Sequence, residues 1–257
     1  MSRIGLLDDG VVYPTSDDQP MAETPVHGDC MMYVTSALRW WFGRHGRDDV
    51  YVGMNNFLYY ERGNPRAVVA PDVYVVVGAP ASPPRDSYML WNEPKAPDFV
   101  LEVTSKSTRR DDERRKRQVY AALGVREYFL YDPRAEWLAP PLQGFRLHEG
   151  AYRRLAAVTV LPDREAAVAS EVLGLELRDE RAQRRVRLRD PATGESLLTH
   201  EESERARQEE TAARREAEIR IAQESAARHE AEARVAALEA RLRALEDIPQ
   251  DSEAPRR

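Results

Sequence analysis

From Glu195 to Ile248 the chain contains no glycine, no proline and no aromatic residue. A run built from Ala, Glu and Arg has no residue that turns the chain and little apolar surface to bury. It therefore reads as one long helix, about 80 Å if unbroken at 1.5 Å per residue. All four Trp, all five Phe and almost all the proline lie before Gly194. The chain thus divides into an N-terminal segment (1–19), a folded domain (20–194), a helical segment (195–248) and a tail (249–257) expected to be disordered. Near the end of the helical segment Val235, Leu238, Leu242 and Leu245 repeat at intervals of three, four and three, the seam of a coiled coil. Upstream the seam is mostly alanine, so a solvated single helix is the plainer alternative to self-association into a homo-oligomer.

Hydrophobic residues make up 42% of the chain, enough for one core, and charged residues 32%. A net charge of −6 excludes a body coated in positive charge but allows a local basic patch. A single cysteine, Cys30, excludes an internal disulfide framework and fits a reducing compartment. No stretch approaches the apolar length of a membrane span, and the first residues form no signal sequence, so the expectation is a soluble, cytoplasmic protein with no membrane partner.

Within the folded part, apolar residues at Met31, Val34, Leu38 and Trp41 predict a helix over 27–42. Residues 49–58 read as a strand. In VVAPDVYVVV the proline demotes the first half, so the strand begins near Asp72. FVLEVT at 99–104 is a short apolar strand of the buried, central kind. Residues 108–123 form a charged amphipathic helix, with Gly124 at its C-cap, and EYFLY at 127–131 is another buried strand. A strand–helix–strand run of this length needs a crossover, which predicts a mixed α/β sheet. Residues 140–194 are expected to form a small β appendage, with turns at Gly150 and Gly194.

Two acids stand inside these apolar strands: Asp72 after VVAP and Glu102 in FVLEV. A buried carboxylate is costly unless it is paired or holds a cation. Two of them at the ends of neighbouring strands suit a hard divalent cation, magnesium above all. The bland alternative is that each pairs with a buried arginine. The following helix carries Arg109, Arg110, Arg114, Arg115, Lys116 and Arg117. A solvated face would usually explain such a run, yet Asp112, Lys116 and Tyr120 are spaced by four, which puts Lys116 one turn from an inward position. A lysine there can reach the strand bearing Glu102 and stabilise developing negative charge, while the arginines hold a phosphate backbone. Of the 38 basic residues only Lys95, Lys106 and Lys116 are lysine. In so arginine-rich a composition, Lys116 stands out as a position where an ammonium is required.

The segments PDVYVVVG, PDFVLEVTSKSTRRDD and KRQVYAALGVREYFLYDP resemble the Uma2 family of restriction endonucleases, within the PD-(D/E)XK nuclease fold. The resemblance covers about residues 20–180, with its core at 70–133. It implies an α/β, restriction-endonuclease-like fold: a mixed central sheet flanked by helices, here followed by the long C-terminal helix. It further implies a metal-dependent endonuclease acting on DNA. By the resemblance Asp72 and Glu102 are metal ligands for Mg2+ or Mn2+, with the Val103 carbonyl and Glu23 as further ligands. Lys116 is the matching catalytic lysine. From their own charge and position, Arg109, Arg110, Arg114 and Lys106 are expected to contact nucleic acid. The superfamily's lysine would stand two residues after Glu102, but Thr104 is there, and Lys116 on the next helix takes its place. His27 is more readily a structural residue than a site residue. A nuclease-fold module that binds and assembles without turnover is the alternative reading, and RNA or a branched nucleic acid the alternative substrate.

Overall fold

The computed structural model describes residues 5–6, 10–15, 24–157, 159–160 and 166–246. Glu23, most of the N-terminal segment and the tail from 249 onward lie outside them. The chain falls into two compact units, Met1–Thr199 and His200–Arg257.

The first unit is organised by a six-stranded sheet. Helix α1 (Pro25–Arg44) starts on a proline, whose missing N–H costs nothing in the first turn. The strands follow as β1 (Val50–Met54), β2 (Val73–Val77), β3 (Phe99–Val103), β4 (Glu127–Tyr131), β5 (Leu142–His148) and β6 (Ala151–Arg154). They lie in the order β6-β5-β4-β3-β2-β1. Only β3 and β4 run parallel, in the register Phe99↔Glu127 to Val103↔Tyr131. Helix α2, residues 109–122, supplies the crossover between them, as the strand–helix–strand pattern requires.

The single strand expected over 49–58 is two. Asn55 takes a positive φ of 46°, and the chain after it leaves the central sheet. Phe57–Tyr59 then joins a separate three-stranded sheet with Val68–Val69 and Ser87–Met89. The expected appendage also divides differently. Its first hairpin, β5–β6, extends the central sheet, because Leu142 to Arg146 pair with Tyr131 to Glu127. Only the later strands stand apart: Thr159–Val160, β7 (Ala166–Ser170), β8 (Leu175–Glu180) and β9 (Arg185–Arg189) form a four-stranded antiparallel sheet.

Side-chain alternation along β3 sends successive residues to opposite faces. Phe99, Leu101 and Val103 join α1 and the four-stranded sheet in one apolar cluster. Val100 faces the other way, with Tyr120 of α2, Tyr128 and Leu130. Phe99, Val100, Leu101 and Val103 are all fully buried. At about 1.5–3 kcal/mol for each such side chain, they hold in place a strand that also carries Glu102.

Cys30 sits in the α1 cluster. Burial is the largest influence on its thiol; the Val186 backbone N–H opposes it, Asp72 and Asp29 add to it, and the group is pushed up to about 12. Alkylation by iodoacetamide near pH 8, followed by mass spectrometry, is expected to be negligible in the folded protein and rapid once denaturant unfolds it. Rapid native modification would contradict this burial.

The long helix, α3, spans His200–Glu246, 47 residues. It begins later than composition suggests, because Leu197 is tied into the first unit. The Leu197 N–H donates to the Leu188 carbonyl, and its own carbonyl accepts from the Tyr33 hydroxyl at 2.8 Å. Val235, Leu238 and Leu242 are 55, 59 and 61% exposed, so the seam is uncovered along the described part of the helix. Among the described residues no helix is long and apolar enough to cross a membrane.

Candidate active site

Asp72 stands immediately before β2, and Glu102 is the fourth residue of β3. Both are buried, Glu102 completely. The paired strands β2 and β3 bring them to one end of the sheet. Asp72 Oδ2 accepts the Val103 backbone N–H at 2.6 Å and lies 3.2 Å from His27 Nε2. Lys116, from α2, closes the group. Its Nζ is 2.8 Å from Glu102 Oε2, 3.2 Å from Asp112 Oδ1 and 3.4 Å from the Ala70 carbonyl. The other oxygen of Glu102 accepts the Tyr120 hydroxyl at 2.7 Å. Among the described residues neither acid takes a buried arginine as partner: Glu102 is met by lysine and a tyrosine hydroxyl, and Asp72 by histidine and backbone.

Local structure explains why Lys116 arrives here. The middle of α2, Asp112–Lys116, is a π-helical turn between the α-helical pieces Arg109–Asp111 and Arg117–Ala122. In an α-helix four residues overshoot a full turn by about 40°. Tyr120, Lys116 and Asp112 would then drift apart around the axis. A wider π-turn covers less angle per residue and brings Asp112 back into line. Asp112 and Tyr120 are both buried as a result.

The electrostatics follow from three buried carboxyl groups sharing one ammonium. Burial is the largest influence on Glu102; Lys116 opposes it, Asp72 and Asp112 add to it, and the carboxyl is pushed up to about 8. Asp112 is raised for the same leading reason, again opposed by Lys116. For Lys116 burial works to lower the value, but Glu102, Asp112 and Asp72 together outweigh it and hold the ammonium above its ordinary range. Burial, with Glu102 and Tyr128 adding, keeps Tyr120 a neutral hydroxyl that can donate to the carboxylate.

Asp112 Oδ1 is buried, and the described residues offer it no hydrogen bond, only the ammonium at 3.2 Å. Glu102 and Asp112 share one ammonium, with Asp72 and its histidine beside them. An oxygen-only donor set of this kind fits a hard divalent cation, which takes one or two carboxylates and keeps its waters. No group of three or more His, Cys, Asp or Glu among the described residues forms a ready cage for a metal.

The other residues marked by sequence fall into place unevenly. Val103 reaches the cluster through its amide. Glu23 lies outside the described residues. Thr104 is buried, with its Oγ1 3.5 Å from Asp112 Oδ2. Lys106, Arg110 and Arg114 are exposed, and Arg109 is half-buried with its guanidinium 5.0 Å from the centre of the Trp137 ring. Arg115 is drawn off by Asp111 at 2.7 Å, and Arg117 lies over Phe145 at 4.3 Å. Lys95 pairs with the buried Asp98 at 2.6 Å, a structural role. In the sequence Asp112 and Tyr120 stand out only by their spacing. Their four-residue interval from Lys116 was the available signal that all three share a face. His27, expected to be structural, instead faces Asp72, and for Tyr128 no local signal exists, because its partner is brought to it by the fold.

Comparison with known proteins gives two results. A family model described as "Uma2: Putative restriction endonuclease" matches residues 7–180, starting upstream of the boundary expected at residue 20. Among solved structures, a similar chain is a "putative nuclease belonging to DUF820" from Anabaena variabilis. It is 13% identical with a TM-score of 0.40, and the match covers 61% of this chain and 80% of that one. No curated protein matches the chain significantly.

Proposed function

Because the chain belongs to the Uma2 family of restriction endonucleases, we propose that it is a magnesium-dependent endonuclease that hydrolyses phosphodiester bonds in DNA. The observation that carries this reading is the meeting of Glu102 and Asp112 on the Lys116 ammonium, beside the strand end that holds Asp72. Asp72 and Glu102 hold the cation, with the Val103 carbonyl and Glu23 as further ligands. Manganese can replace magnesium. When bound, the cation supplies Lewis-acid polarisation of the scissile phosphate. The chain's own groups do the rest. The Tyr120 hydroxyl and the Lys116 ammonium fix the two oxygens of Glu102 in place. His27 and the Val103 amide both hold Asp72 through its Oδ2. Lys116 presents a compact positive charge to the phosphate as negative charge builds on it, inside a site where burial strengthens that attraction. The test is cleavage of plasmid and linear DNA with magnesium, with manganese and with chelator, using Asp72→Asn as the control. Metal-dependent cutting that the control loses supports the reading. No cutting of DNA under any of these conditions contradicts it, and cutting of RNA alone would move the substrate.

The exposed residues Lys106, Arg110 and Arg114, with Arg109 beside Trp137, are proposed to hold the phosphate backbone. Each lost phosphate contact lowers the slope of log K against log salt by about 0.9 for duplex DNA. The double substitution Arg110→Gln, Arg114→Gln is therefore expected to flatten that slope by up to about 2, equally for unrelated sequences. An unchanged slope in filter-binding or fluorescence titrations would place the DNA elsewhere.

The helical segment is proposed to join copies of the chain through Val235, Leu238 and Leu242, as a coiled coil that sets two sites on one duplex. Light scattering on the full chain should show an oligomer that Leu238→Glu, Leu242→Glu reduces to monomer. A monomer for both proteins would make the helix a solvated one.

A further inference from the structure

Tyr128 is fully buried in β4, and its hydroxyl donates to the backbone carbonyl of Asp112 at 2.8 Å. That carbonyl is at the first residue of the π-turn that delivers Lys116. The tyrosine is locked by its neighbours: its ring centre lies 5.4 Å from Tyr120, 5.6 Å from Tyr152 and 6.4 Å from Phe145. A rigid donor on the sheet therefore grips the helix backbone at the point where its winding changes. We propose that Tyr128 is a positioning residue: its hydroxyl latches the π-turn, and the latched turn holds Lys116 between Glu102 and Asp112.

The physical case rests on the winding of α2. A π-turn is the less favoured form of a helix and persists where something else fixes it. Relaxation to an α-helix shifts the register across the turn by one residue, about 100° of rotation. Tyr120 is anchored below the turn by its bond to Glu102, and Tyr128 anchors the turn above. Releasing the upper anchor lets Asp112 swing away from the ammonium. Lys116 then keeps one acid partner instead of two and gains access to solvent. The Tyr128 ring stays in the core whether or not it carries a hydroxyl, so packing and latching can be separated.

As a role in hydrolysis this deepens the nuclease reading and rests on it, but the positioning itself can be read without activity. The chain has three lysines, each in a different setting. The Lys116 side chain is 13% exposed and doubly paired, the Lys95 side chain is 45% exposed, and Lys106 is on the surface. The experiment is acetylation of the full chain in limiting reagent, with the rate at each lysine followed by mass spectrometry. It is run on the wild type, on Tyr128→Phe, on a chain carrying 4-fluorophenylalanine at position 128 and on Tyr152→Phe. The fluorinated side chain fills the space of the hydroxyl without donating, and keeps the test alive if Tyr128→Phe does not fold. Tyr152 donates to the Val125 carbonyl at 2.8 Å in the same aromatic cluster; it meets α2 through its carbonyl and ring at Arg117, just past the turn, and Tyr152→Phe keeps both. The expected result is a rise of about tenfold at Lys116 in both position-128 variants, the size of effect one lost hydrogen bond can produce. Lys95 and Lys106 should be unchanged, and Tyr152→Phe should match the wild type. Lys116 labelling within about twofold of wild type in a folded position-128 variant overturns the proposal, as does an equal rise in Tyr152→Phe. Wild-type chain that cleaves nothing would count against the nuclease reading alone, since the labelling result stands without it.

Discussion

Glu102→Gln is expected to abolish metal-dependent DNA cleavage, by on the order of a thousandfold or more, while leaving the fold intact. The substitution keeps the shape of the side chain and its acceptor for the Tyr120 hydroxyl. It replaces the carboxyl group that meets Lys116 at 2.8 Å with an amide, which cannot ionise to hold the cation. Lys116 is not left alone, because Asp112 Oδ1 and the Ala70 carbonyl remain within 3.4 Å. The thermal midpoint should therefore move little while calorimetric binding of magnesium or manganese weakens. Full cleavage by Glu102→Gln would remove this residue from the chemistry and with it the centre of the proposed site.

Lys116→Met is expected to cost both activity and stability. With the ammonium gone, Glu102 and Asp112 are two buried acids without a counter-charge. Breaking a buried pair in this way typically costs about 3–5 kcal/mol, although some of that is recovered when the acids take up protons. The recovery gives the variant a pH signature. Glu102 in the wild type already holds its proton to about 8, above the 4.5 of an ordinary glutamate. A folded value above the unfolded one means that the native state binds more protons between the two. This contribution to stability is complete below the unfolded value and is lost as pH rises through the folded one. Lys116 contributes no slope in that window, because its raised value matters only above the ordinary lysine range. Stability of the wild type without divalent cation should thus decline between about pH 5 and pH 9, and that of Lys116→Met should decline more steeply. Urea unfolding across that range tests both, and equal slopes would show that the lysine does not govern the acids.

Much of the fold could be read from local pattern. The apolar intervals of α1, the buried runs of β3 and β4, and the proline before Asp72 are each decided by neighbours in sequence. The break at Asn55 was not legible, because an asparagine within a strand-like run does not announce a positive φ. Neither was the division of residues 140–194, since a hairpin that extends one sheet reads the same as a hairpin that starts another. Strand pairing is a long-range choice, and alternation specifies a face without specifying a partner.

For the site, sequence alone marked Asp72 and Glu102 as acids in apolar strands, and Lys116 as a lysine in an arginine-rich chain. It also dictated the long C-terminal helix, because a run free of glycine, proline and aromatics offers no other regular structure. Tertiary structure decided what those residues meet. It placed His27 against Asp72, drew Asp112 onto the ammonium through a change in helical winding, and set two tyrosine hydroxyls on the pieces that hold the lysine. The reason is physical: burial inside a strand makes a carboxylate conspicuous in the sequence, but its counter-charge and its hydrogen-bond donors come from wherever the fold brings them.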